Sequence, residues 1–134
     1  MSITEIGRKG EKLARIILKE IFHVDVIFQA DWIFERKGRW YIAEIKHQER
    51  FEKWKTTDID GHGLPIYQAN RRMQFYNETG IRCIFIVIEI PNENIYWQWL
   101  DVLEETKYFE TNIKHRRIYD IKFFKQIKKK DPEK

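Results

Sequence analysis

The sequence predicts an α/β fold, and three stretches carry that expectation. Near the N-terminus, Ile6, Gly10, Leu13, Ala14, Ile17 and Ile21 recur at helical spacing. Trp32–Arg36 and Arg39–Lys46 are rich in aromatic and β-branched residues and are joined only by Lys37-Gly38, the pattern of a tight hairpin. Arg82–Ile90 (RCIFIVIEI) is almost continuously apolar, as a central strand covered on both faces would be.

A chain of 134 residues, 43% of them hydrophobic, is expected to form one domain over residues 1–134, with a core at about 5–106 and a basic extension at about 107–134. No apolar run is long enough to span a bilayer, and no basic-plus-apolar leader opens the chain, so no membrane partner is expected. Cys83 is the only cysteine, which excludes a disulfide framework within the chain; the expectation is an intracellular, cytoplasmic protein. Net charge is +4 but unevenly spread: from Lys107 onward ten Lys/Arg stand against four Asp/Glu, leaving the preceding residues net acidic. A basic segment beside an acidic cluster suits a polyanionic partner, or else serves only solubility.

Taken in order, Ser2 or Thr4 caps a helix running to about Phe22. Glu11 lies at the edge of its apolar stripe, placed either toward the core edge or as a plain surface glutamate, and Arg8, Lys9 and Lys12 around it suit phosphates. His23–Gln29 reads as a first strand. With Lys37-Gly38 as the hairpin loop, Arg36 faces Arg39 and the ladder carries back to Asp31 opposite Glu44. Lys46 falls on the same face two residues later. Apolar residues on both sides predict a largely buried hairpin. Two opposed carboxylates there repel, and a divalent cation would remove that cost. A neighbouring lysine would orient or deprotonate a water, or neutralise charge on a reacting phosphate. An edge hairpin with an Asp–Lys ion pair in solvent is the alternative.

His47–Leu64 shows no clean period and reads as a polar loop, including Asp58, Asp60 and His62, which lack the other ligands of a calcium loop. Trp54 between Lys53 and Lys55 reads as a stacking-plus-phosphate contact or as a packed helix fragment. Pro65 opens a second helix to about Thr79, closed by Gly80. Gln68 sits in its first turn, either orienting a water or phosphate or decorating the helix start, with Arg71 and Arg72 one turn on as candidates for nucleic-acid phosphate contacts. After the Arg82–Ile90 strand come a turn at Pro91–Asn94 and a strand at Ile95–Leu100 with Trp97 and Trp99 on one face. A short helix at Asp101–Thr106, a last strand at Lys114–Ile121 and a basic helix at Lys122–Lys130 complete the expectation. Arg116 and Arg117 in this segment are further candidates for nucleic-acid contacts.

The order helix, strand, hairpin, helix, strand, strand, carrying Glu11, Asp31, Glu44-Ile45-Lys46 and Gln68, resembles the PD-(D/E)XK nuclease superfamily, and within it the archaeal-type Holliday junction resolvases. Gly7-Arg8-Lys9-Gly10-Glu11 matches the family's basic G-x-E helix, Asp31 to Glu44 and Lys46 its D-x12-E-x-K hairpin, and Tyr67-Gln68 its glutamine at the next helix start. The likeness covers roughly residues 5–100; Ala30 stands where the family has a proline, and the segments after Lys46 and after Leu100 match poorly.

This resemblance implies a restriction-endonuclease-like core, a central mixed β-sheet flanked by helices. It implies a Mg²⁺- or Mn²⁺-dependent phosphodiesterase and a homodimer that nicks both strands of a four-way DNA junction. Asp31 and Glu44 would ligate the metal with Glu11 assisting, Lys46 would position the water, and Gln68 would support it. Trp97, Trp99 or Phe123-Phe124 would serve either the dimer interface or the core. Two other functions stay open: a restriction-like or repair endonuclease on duplex or flap DNA, and a non-catalytic nucleic-acid-binding module of the same fold.

Overall fold

The computed structural model describes residues 3–25, 30–52, 59–112 and 114–127. Helix α1 (Ile3–Ile16) continues into a π-helical turn, Ile17–Ile21. Strands β1 (Trp32–Arg36) and β2 (Arg39–Glu49) follow, then β3 (Gly61–Pro65) and α2 (Ile66–Thr79). After these come β4 (Cys83–Ile90), β5 (Ile95–Trp99), α3 (Leu100–Glu104), β6 (Tyr108–Glu110), β7 (Arg116–Asp120), a 3₁₀ turn (Ile121–Phe123) and β8 (Lys125–Ile127).

The larger sheet runs β1-β2-β4-β5-β8, with β2 and β4 parallel and the other pairs antiparallel, so it is mixed. A smaller antiparallel sheet runs β3-β7-β6. The expected hairpin forms with its register intact: Trp32 pairs Ala43 and Arg36 pairs Arg39 across Lys37-Gly38. Both loop residues have positive φ, 51° and 80°, the twist a two-residue loop needs to match its strands. Helix α2 ends where expected, with Gly80 left-handed and its N–H on the Tyr76 carbonyl.

One face of the larger sheet carries Ile42, Cys83, Phe85, Val87 and Tyr96 into the core, where they meet Ala69 of α2, Leu100 and Leu103 of α3, Leu64 of β3 and Tyr119 of β7. The opposite face is layered with aromatics. Phe34 stacks on Tyr41 at 5.4 Å, Tyr41 meets Trp99 at 5.3 Å, and Trp97 meets Trp99 edge-on. Arg82 covers Trp99 from 4.3 Å.

Several expectations change. The hairpin is not largely buried: β1 is the edge of its sheet, and Trp32, Ile33 and Trp40 are exposed. The apolar stripe of α1 and its π-helical continuation is likewise exposed, at Leu13, Ile17 and Ile21. His23–Asp25 is not strand, and the rest of that expected strand lies outside the described residues. The stretch read as a polar loop holds the end of β2 and all but the last residue of β3, and His62 is buried there. Gly61 and Gly63 permit this, since a Cβ would fall 1.8 Å from the Tyr119 carbonyl oxygen at one and 2.2 Å from that of Arg117 at the other.

The segment from Lys107 onward supplies β6, β7 and β8 rather than an extension, and its Tyr119 is completely buried. Lys125–Ile127 is strand, paired with β5, where a helix was expected. The pairing satisfies backbone groups of β5 that a helix would leave open on that side. Phe124 belongs to the core and Phe123 packs against it.

Candidate active site

The site is built where β2 is held between β1 and β4 and faces α2. Glu44 pairs in register with Phe85, a core position, so the pleat sends its carboxylate inward, and it is completely buried. Lys46, opposite Val87, follows on the same face and is half-buried. Asp31 lies just before the β1 ladder. Its Oδ2 accepts the N–H of Ile45 at 2.9 Å, which pins the carboxylate to the backbone of β2 beside Glu44. Asp31 itself stays exposed, so the site opens on its side.

Helix α2 supplies the opposite wall. Gln68 and Arg72 are one turn apart and share a helix face. The Nε of Arg72 donates to Glu44 Oε1 at 2.7 Å, and its Nη2 makes a closer contact with the same oxygen. Arg72 is 6% exposed. Two buried acceptors in this region are left without a hydrogen-bond partner, Glu44 Oε2 and Gln68 Oε1. Burial pushes the Glu44 carboxyl above its ordinary range, and the neighbouring Asp31 adds to this, while the Arg72 guanidinium works the other way.

Orphaned buried acceptors are rare in folded proteins and cost stability unless something meets them. Two carboxylates and an amide oxygen are hard oxygen donors of the kind Mg²⁺ and Mn²⁺ take, with the remaining positions left to water or phosphate. The residues therefore fit a divalent cation, although among the described residues no group of three or more His, Cys, Asp and Glu side chains forms a ligand cluster.

Of the sequence candidates, the structure brings together Asp31, Glu44 and Arg72, with Gln68 on the same face of α2 and Lys46 next along β2. Glu11 is exposed on α1, a helix whose own stripe is exposed, so of its two expected placements the structure shows the surface one and not the core edge. Arg8, Lys9, Lys12 and Arg71 are exposed and open to solvent partners. Arg72 and Arg117 are corrected as phosphate contacts. Arg72 turns inward to Glu44, and Arg117, also 6% exposed, is held by Glu104 at 2.6 Å and Glu110 at 3.0 Å. Arg116 is half-buried with its guanidinium over Phe51. Lys53, Trp54 and Lys55 lie outside the described residues.

Sequence reasoning missed a second polar cluster, at the far end of β2. Glu89, 3% exposed, accepts from Arg50 Nε at 2.9 Å and from Asn92 at 2.7 Å, and meets His62 Nε2 at 2.6 Å. Arg50 also donates to the Tyr96 hydroxyl at 2.9 Å. The signal was present: Glu89 shares strand parity with Cys83, Phe85 and Val87, so a lone carboxylate in that run had to be buried and paired.

No protein-family model matches the sequence, and no curated protein does. Among solved structures, the chain is similar to that of Hjc from Archaeoglobus fulgidus, a Holliday junction resolvase from an archaeal hyperthermophile. The two share 12% identity at a TM-score of 0.42, over 84% of this chain and 90% of that one.

Proposed function

We propose that this chain is a divalent-metal-dependent endonuclease that hydrolyses phosphodiester bonds in DNA, with four-way junctions as its preferred substrate and a homodimer as its working form. The observation that carries the reading is the pair of buried, unpartnered oxygens, Glu44 Oε2 and Gln68 Oε1, beside a solvent-open carboxylate at Asp31.

In this reading Asp31, Glu44 and Gln68 hold a Mg²⁺ or Mn²⁺ ion, which when bound polarises the scissile phosphate. Lys46, two residues from Glu44 on the same face, holds the attacking water through its ammonium group and offsets charge that builds on the phosphate. Asp31 keeps its place through the Ile45 N–H and is exposed on the side where a phosphate would arrive. Glu11 belongs to the reading only as an assisting group on α1. Exposed Arg8, Lys9, Lys12 and Arg71 supply phosphate contacts whose worth falls with salt.

A labelled four-way junction and its linear arms, incubated with and without Mg²⁺ beside Lys46→Ala, test this. Paired nicks on the junction that need the metal and vanish in the variant are expected. Cutting of the arms at equal rate would replace junction selectivity with a general nuclease. Salt-sensitive binding without cleavage in either Mg²⁺ or Mn²⁺ would overturn the enzyme reading. Asp31→Asn should bind the junction at least as tightly as the parent, because a charge facing the phosphate is lost, and should not cut it.

A further inference from the structure

Arg72 was expected to meet phosphates, yet it is the group that holds Glu44. Its Nε and Nη2 both contact one carboxylate oxygen, Oε1. The usual fork of an arginine takes one oxygen with each nitrogen. Here the fork closes on a single oxygen and leaves Oε2 without a partner, though both oxygens belong to a residue that is completely buried. One turn earlier on the same helix, Gln68 also leaves its amide oxygen buried and unpartnered. A guanidinium placed symmetrically would have satisfied both Glu44 oxygens and closed the site to any cation.

We propose that Arg72 is a positioning residue that occupies Oε1 of Glu44, so that the carboxylate presents Oε2 alone to a divalent cation, which also takes the amide oxygen of Gln68. This rests on the metal-dependent reading above and adds to it the way the cation is held. Charge supports the same arrangement. Asp31, Glu44, Arg72 and Lys46 together carry no net charge, so a bound divalent cation leaves the set doubly positive, which suits an anionic phosphodiester. Without Arg72 the set would hold the cation with one positive charge fewer. Arg72 thus weakens cation binding and in return leaves positive charge for the substrate.

That trade gives the proposal its test, because a merely structural arginine would do the opposite: its loss would loosen the site and weaken the cation. Mn²⁺ binding is measured on the full chain, without DNA, from the free-ion electron paramagnetic resonance signal. The chains compared are the parent, Arg72→Met, Arg72→Lys, Gln68→Leu and Asp31→Asn. Arg72→Met should tighten Mn²⁺ about tenfold, a modest share of the repulsion between a unit charge and a dication at this range. Arg72→Lys keeps the charge but cannot fork onto Oε1, and should tighten Mn²⁺ about threefold by freeing that oxygen. Gln68→Leu should weaken it about tenfold through loss of one oxygen ligand.

Unchanged or weaker binding in both Arg72 variants would overturn the proposal, as would unchanged binding in Gln68→Leu. If Arg72→Met does not fold, Arg72→Lys decides alone: tighter supports, equal or weaker overturns. Asp31→Asn separates this from the underlying reading. Parent binding that Asp31→Asn leaves intact, or no parent binding at millimolar Mn²⁺, would remove the metal site itself and the proposal with it.

Discussion

Replacing Glu89 by glutamine keeps the side chain's shape and removes its charge, and the consequence can be worked from its partners. Burial alone would push this carboxyl up, but hydrogen bonds from Arg50, Asn92 and His62, with the Arg50 charge, outweigh it and hold Glu89 down at about 2, against an ordinary 4.5. The protons in the cluster can be placed from its geometry. Gln48 accepts from Gly63 N–H through Oε1 and donates to the Gly63 carbonyl through Nε2, so its amide cannot flip. His62 Nδ1 faces that Oε1 at 3.0 Å and must donate to it. His62 Nε2 lies 2.6 Å from Glu89 Oε2, so an imidazolium formed there would donate to that carboxylate. Burial above all, with the Arg50 charge, holds His62 below its ordinary range, against the support of the Glu89 carboxylate.

A folded pKa depressed from 4.5 to about 2 corresponds to about 3 kcal/mol of stability, since each unit is worth about 1.4 kcal/mol. Because the folded value lies below the unfolded one, that stability is fully present above 4.5 and is lost as pH falls toward 2. By pH 3 about 2 kcal/mol of it has gone. The assay is urea unfolding followed by tryptophan fluorescence at pH 5, 4 and 3, for the parent and Glu89→Gln. The parent should be the more stable by about 3 kcal/mol at pH 5, with the gap shrinking steadily to about 1 kcal/mol at pH 3. A gap of constant size would refute the reasoning, because it would trace the loss to packing or neutral hydrogen bonds rather than to the ionised carboxylate among Arg50, His62 and Asn92.

Two further outcomes follow from burial and close approach. Gly63→Ala would place a methyl group 2.2 Å from the Arg117 carbonyl oxygen, so β3 and β7 must part. A loss of about 3 kcal/mol in the same denaturation assay is expected, and a loss below about 0.5 kcal/mol would contradict the strand pairing. Cys83 is 2% exposed, and burial above all pushes its thiol up to about 12, so iodoacetamide should leave it unmodified in native protein at pH 8 and label it fully in urea. Rapid native labelling would mean that β4 is not the covered strand described.

What the sequence disclosed follows from how local each signal is. The hairpin register was legible because two residues, Lys37 and Gly38, set it and every pair then follows by counting. The end of α2 was legible for a like reason, since Gly80 takes the left-handed conformation that closes a helix. The neighbourhood of Glu44 was only half legible. That Asp31 and Lys46 share its surroundings is a matter of strand parity, but Arg72 reaches it from a helix, and helix phase relative to a sheet is set by packing. For that reason an arginine read as a phosphate contact turned out to be a buried counter-ion. His62 was hidden because a run with glycines and charges has the composition of a loop. Only the approach of β7, more than fifty residues away, makes it a strand. The exposed β1 and α1 show the reverse failure: apolar pattern marks a face that can be buried, and does not say that it is.

The wiring of β2 also bears on the order in which the molecule is made. Its contact with β1 closes over two residues, whereas its contact with β4 waits for α2 and closes a loop of about forty. A hairpin formed early would therefore bring Asp31 and Glu44 face to face with no guanidinium between them, at just the stage when little else holds the strands. Local proximity favours that event and local charge opposes it. The first productive nucleus should then be β2, α2 and β4 together, since only that grouping delivers Arg72 to Glu44. Changes in α2 would accordingly slow refolding, while changes at the Lys37-Gly38 loop would chiefly speed unfolding. The chain would assemble its prospective site and its folding nucleus in the same step.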